Sequence, residues 1–142
     1  MNSLWTEIGV GRAVKLGAAL RVFLAVAVVV AAGCAAVGGE SPEAAVKERA
    51  QARWDAMVKG DFQAAYGYLS PGSRAVLSEQ SYVGSLKKGF WKSAHVESVT
   101  CHSAEACDVG ATIEYEYMGH PIRTPLRESW IRDAGQWWYV KQ

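Results

Sequence analysis

The chain has 142 residues, half of them hydrophobic, and carries 15 basic against 14 acidic side chains for a formal net charge of +1. That length accommodates one modest domain, and so balanced a charge gives no electrostatic case for a nucleic-acid partner. Six tryptophans and six tyrosines argue for a packed core and against a disordered chain.

The first feature in chain order is an apolar run, Val22 to Ala32, behind the basic residues Arg12, Lys15 and Arg21 and closed by Ala31-Ala32-Gly33-Cys34. A basic flank, a short apolar segment and a small-residue cleavage site are the parts of an export signal. Residues 1–33 hold three basic residues against Glu7, whereas residues 34–142 hold twelve against thirteen acidic. All the early positive charge precedes the apolar run, so the positive-inside rule sends the chain after residue 40 out of the cytoplasm.

Arg21–Cys34 resembles a bacterial lipoprotein signal. The resemblance implies that residues 1–33 are removed, that Cys34 is acylated, and that residues 34–42 tether the domain to a membrane. Ala35 after the cysteine favours the outer membrane if the host is Gram-negative. Several attached chains would hold the protein stably, at about 0.8 kcal/mol per buried methylene. The competing reading is an uncleaved single-span anchor, since the run extended to Gly39 reaches about 18 residues, near the lower limit for crossing a bilayer.

Ser41-Pro42-Glu43 has the chemistry of a helix start. Val46, Ala50, Trp54, Met57 and Val58 recur at helical spacing up to Gly60. Asp61 caps a second helix with Phe62, Ala65, Tyr66 and Leu69 on one face, and Ser70-Pro71-Gly72 is expected to stop it. A third helix is expected over Glu79 to Lys88. The run from Ala52 to Tyr66, with its Gly60-Asp61 break and the following Leu69-Ser70-Pro71, resembles the opening of a nuclear transport factor 2-like (SnoaL-like) domain. That resemblance covers 43–142 and implies an α+β fold, N-terminal helices packed on a curved antiparallel sheet. Trp54, Phe62 and Tyr66 read as core residues.

From Phe90 the pattern changes to period two. Strands are expected over Phe90–Cys101, Cys107–Tyr117, Ile122–Arg132 and Gln136–Lys141. Turns are expected at Met118-Gly119-His120-Pro121 and Asp133-Ala134-Gly135. Pro125 marks an edge or a bulge. Helices first and a meander afterwards argue for α+β. Cys101 and Cys107 flank a five-residue link, and outside the cytoplasm two such cysteines pair as a disulfide. A metal set of Cys101, His102 and Cys107 lacks a fourth ligand and zinc spacing, so no metal site is expected.

No motif names an enzyme or a cofactor: a phosphate loop, a nucleophile elbow and a zinc-protease helix are all missing. Enzymes of the SnoaL-like fold place a proton-transfer group inside the cone. The catalytic candidates by strand parity are Glu128, which shares a face with Leu126 and Trp130, and His95, which shares one with Trp91 and Val99. Tyr115 and Tyr117 lie on the apolar face of their strand. The expected role is a membrane-tethered, extracytoplasmic binding or assembly module of the cell envelope, without catalysis. An envelope protein could then dock on Trp137, Trp138 and Tyr139. The alternative is a carrier of a small apolar ligand, or an enzyme, using the cone cavity.

Overall fold

The computed structural model describes residues 39–142. The expected signal segment, the expected acylation site Cys34 and most of the expected tether therefore lie outside the described residues. No helix of the described part is long and apolar enough to cross a membrane.

Helix α1 (Pro42–Lys59) begins where its chemistry predicts. The Ser41 hydroxyl accepts from the Ala44 N–H at 3.2 Å, Pro42 occupies the first turn, and Glu43 and Lys59 complement the dipole at the two ends. Gly60 closes it at φ 75°, a left-handed conformation that a side chain would strain, and a Cβ there would also meet Lys88 Cγ at 2.6 Å. Asp61 caps the short α2 (Phe62–Tyr66) by accepting from Ala64 N.

Ser70-Pro71-Gly72 departs from expectation. It starts a helix as well as ending the preceding segment. Ser70 caps α3 (Pro71–Val76), accepting from Ser73 N at 3.1 Å, and Pro71 takes the first turn. The expected third helix follows as α4 (Glu79–Gly84), capped by Ser78 and ending before Lys88. Leu69 belongs to no helix. It forms a parallel bridge with Tyr139, fixed by Ser70 N donating to Tyr139 O and Tyr139 N donating to Tyr68 O, both at 2.8 Å.

The second half is an antiparallel meander of β1 (Trp91–Ser103), β2 (Ala106–Tyr117), β3 (His120–Asp133) and β4 (Gln136–Val140), adjacent in that order. The hairpins are tighter than expected. The β2–β3 and β3–β4 turns each have two residues at positive φ, Met118-Gly119 and Ala134-Gly135, the geometry that matches strand twist. The expected five-residue link after Cys101 shrinks to Ala104-Glu105, because the strands run on to Ser103 and Ala106. Pro125 sits opposite Thr112 in unbroken register. β4 covers only Ser129–Asp133, so the Pro125 stretch of β3 is an edge with no ladder bond to lose on that side.

Irregularity is concentrated instead in β1, whose register with β2 shifts between Trp91 and Ser93, between Val96 and Ser98, and between Cys101 and Ser103. Bulges of this kind bend a sheet and raise its twist. The curved sheet receives α1. Val46, Ala50, Trp54 and Met57 pack against Ala94, Val96, Val109 and Ala111, with Trp130 and Trp137 closing the core. Gln51 fastens the helix to strand β1: its amide donates to Ala94 O at 3.0 Å and accepts from Val96 N at 2.9 Å. The protein is thus α+β, with N-terminal helices packed on a curved antiparallel sheet.

Cys101 and Cys107 face each other across β1 and β2 and form a disulfide. With both sulfurs joined, neither is free to serve the metal set weighed above, and His102 instead meets Asp108 Oδ2 at 2.9 Å. Reduction, or Cys101→Ser with Cys107→Ser, is expected to cost about 2 kcal/mol by the chain-entropy estimate for so short a loop. Denaturant unfolding with and without reductant measures this, and coincident curves would show that the bridge does not constrain the unfolded chain.

Candidate functional site

The face of α1 turned to the core contains a charge. Arg53 lies on the stripe of Val46, Ala50, Trp54 and Met57 and is only 4% exposed. A buried guanidinium needs a partner, and β3 supplies it: Arg53 Nη1 donates to Glu128 Oε1 at 2.7 Å, with both side chains almost fully buried. The other carboxylate oxygen of Glu128 accepts from Trp130 Nε1 at 3.1 Å. Arg53 also stacks on aromatic faces, its guanidinium carbon 3.9 Å from the Tyr139 ring centre and 4.9 Å from that of Trp54.

Around this pair lies a cavity of about 290 Å³, lined among others by Arg53, Trp54, Tyr82, Trp91, Leu126 and Glu128. Its volume is at the small end for ligand pockets. Exposed Arg127 and Lys141 also border it. Two donor atoms of residues that line it, Arg53 Nε and Trp54 Nε1, are buried away from solvent and have no hydrogen-bond partner among the described residues. An unmade bond at a buried donor costs about 1–3 kcal/mol, so native folds rarely leave two together.

Burial raises the pKa of Tyr82 and Tyr139 above the ordinary value, which the Arg53 charge only partly opposes. Both remain neutral phenols at physiological pH, and Tyr82 donates to Met57 Sδ at 3.4 Å. A group whose folded pKa is raised contributes stability that is complete below the unfolded value, about 10, and is lost as pH rises through the folded one. Stability is therefore expected to fall as pH climbs above 10. Tyr82→Phe should make that fall shallower in chemical unfolding series run across alkaline pH, whereas an unchanged slope would mean that Tyr82 ionises freely in the folded state.

Of the two residues chosen by parity, Glu128 lies inside and His95 does not. Glu128 follows Leu126 and Trp130 inward because β3 keeps its register with β2 from end to end. His95 is exposed, on the face opposite Ala94 and Val96. The shift between Trp91 and Ser93 turns the strand over, and the shift between Val96 and Ser98 turns it back, so Trp91 and Val99 point inward while His95 between them does not. Tyr115 is half-buried and stacks on Phe90 with ring centres 5.0 Å apart. Tyr117 is 61% exposed, since β1 begins opposite Tyr115 and leaves the hairpin tip with one neighbouring strand.

The three terminal aromatics also differ from expectation. Trp137 is buried in the core, Tyr139 is half-buried beside Arg53, and Trp138 is half-covered by the guanidinium groups of Arg49 and Arg74 at 5.6 and 5.0 Å. They do not form an exposed docking set, because β4 closes the sheet onto the helices. Arg53 was not legible as a site residue: a lone arginine in a helix reads as solvated, and only its i+4 and i−3 relations to Met57 and Ala50 hint otherwise.

No family model and no curated protein matches this chain. Among solved structures, a SEC-C motif containing protein from Rhodopseudomonas palustris is 13% identical and aligns over 66% of this chain and 73% of its own, with a TM-score of 0.56. A Campylobacter jejuni protein that carries the name of an NTF2-like transpeptidase is 9% identical over 68% of this chain and 98% of its own, with a TM-score of 0.48. The likeness to the first is one of fold alone: this chain shares a helix-and-curved-sheet architecture with it.

Proposed function

We propose that this chain is a lipid-anchored module of the cell envelope that works by binding a small molecule in the cavity around Arg53 and Glu128. The observation that carries the binding half is the cavity itself, about 290 Å³ with aromatic and apolar walls formed by Trp54, Met57, Leu86, Trp91 and Leu126 around the buried Arg53–Glu128 pair. Catalysis by Glu128 is disfavoured, because both its oxygens are committed, one to Arg53 and one to Trp130. The tether rests on the sequence of Arg21–Cys34 and on a disulfide suited to an oxidising compartment. The membrane is then its first partner, and an envelope protein that receives or delivers the ligand a second.

Cys34→Ser tests the tether: the variant should lose its acyl label and leave the membrane fraction, and a variant that stays membrane-bound with the leader removed would overturn it. Leu126→Trp tests the cavity by filling it. In a strain deleted for the gene, a folded, anchored Leu126→Trp protein should fail to restore the wild-type phenotype, and full restoration would rule out binding there.

A further inference from the structure

The β2–β3 hairpin ends in a turn that breaks a local rule. Its first turn residue, Met118, stands at φ 51°, a left-handed conformation that this kind of turn normally gives to glycine, asparagine or aspartate. The Met118 side chain is 81% exposed and that of its neighbour Tyr117 61%, and neither packs on the core. Backbone strain and apolar exposure at one point are costs that folds retain where function uses them. The β3–β4 turn has the same geometry, with Ala134 at φ 49°, but presents only a methyl group. The root of the Met118 tip is held firmly: Phe90 stacks on Tyr115 with ring centres 5.0 Å apart and meets Trp91 edge-on at 5.1 Å. Residues 87–92 and 113–123, which form the tip and its root, carry Lys87, Lys88, Lys92 and Arg123 against Glu114 and Glu116, four positive charges to two negative. Both acids are already paired, Glu114 with Arg123 and Glu116 with Lys92, while Lys87 and Lys88 are exposed.

We infer that this tip is a second membrane contact: Tyr117 and Met118 enter the headgroup region of an anionic bilayer, and Lys87 and Lys88 meet its phosphates. The inference rests on the anchored placement proposed above. Two apolar side chains fall far short of the about 800 Å² per partner that a stable protein interface buries. A tyrosine and a long apolar side chain with basic neighbours instead suit the boundary between headgroups and acyl chains. The tip lies at the end of α1 away from the tether, since Gly60 abuts Lys88. Helix α1 is about 27 Å long, 18 residues at the α-helical rise. The eight residues from Cys34 to Pro42 reach about 27 Å when extended, so an anchor at Cys34 does not hold the tip off the surface.

The test is thiol labelling of the protein purified from membranes and placed, one copy to a disc, in nanodiscs of phosphatidylethanolamine and phosphatidylglycerol. Met118→Cys and, as the control in the equivalent turn, Ala134→Cys are each exposed to a water-soluble maleimide, with modification read peptide by peptide by mass spectrometry. Position 118 is expected to react about tenfold or more slowly than position 134, and that protection should weaken in discs of phosphatidylcholine alone. Equal rates at the two positions would overturn the docking and leave the tether standing, whereas protein that does not enter the discs would overturn both. Protection that is the same in phosphatidylcholine would overturn the role given to the lysines and the anionic lipid. Met118→Asn separates function from folding: asparagine suits φ 51°, so this variant should melt about 4 °C or more above the wild type. A lower melting temperature would show that Met118 serves the fold and would overturn the argument from the strained turn.

Discussion

Arg53→Ala is expected to destabilise the domain by about 3–5 kcal/mol, because it leaves the Glu128 carboxylate buried without its counter-charge. Native domains of this size are stable by only about 5–15 kcal/mol, so the melting temperature should fall on the order of 15 °C or more. Glu128→Ala should cost a similar amount for the mirror-image reason, an uncompensated guanidinium between two aromatic rings. The two losses should not add, since each removes the same interaction. Replacing both residues with apolar ones of similar bulk, Arg53→Met with Glu128→Leu, should restore most of the stability or exceed the wild type. That double variant separates two roles. If the ion pair serves the fold alone, the double variant binds as wild type does; if Arg53 serves a ligand, the variant is stable and empty. A full cycle of thermal melts across the four proteins checks the energetic part, and additive losses would show that the pair is not a coupled unit.

The second large effect is expected at Trp130. It is fully buried, lies at the centre of the inner sheet face and donates to Glu128 Oε2. Trp130→Ala should cost about 3–5 kcal/mol through lost burial and the void it leaves. Trp130→Phe keeps most of the apolar volume but withdraws the donor from a buried carboxylate oxygen, which costs about 1–3 kcal/mol. Denaturant unfolding ranks the three proteins. If the phenylalanine variant matched the wild type, the Trp130 hydrogen bond would contribute nothing and Glu128 would depend on Arg53 alone.

How much of this could be read in the sequence depended on whether one local rule governed each segment. The α1 boundaries were legible because Ser41-Pro42-Glu43 and Gly60-Asp61 each combine several signals for the same event. Glu128 was legible because β3 keeps strict alternation from one end to the other. His95 was not, since two register shifts in β1 reverse the facing of the residues between them, and no residue type in Trp91–Ser98 announces a bulge. Ser70-Pro71-Gly72 reads equally well as the end of one helix or the start of the next, and the parallel bridge from Leu69 to Tyr139 joins residues far apart in the chain. The site suffered most from this, for its central residue is half of a pair. Arg53 acquires its meaning only when the meander brings β3 beneath α1, and periodicity along one element carries no trace of that.

The most direct test of a lipid-anchored, cavity-binding protein is native mass spectrometry of the chain extracted from its own membranes in mild detergent. The expected species begins at Cys34, carries acyl chains, and releases one additional small molecule on mild activation. A species that retains residues 1–33 and carries no small-molecule adduct would contradict both the anchor and the bound ligand.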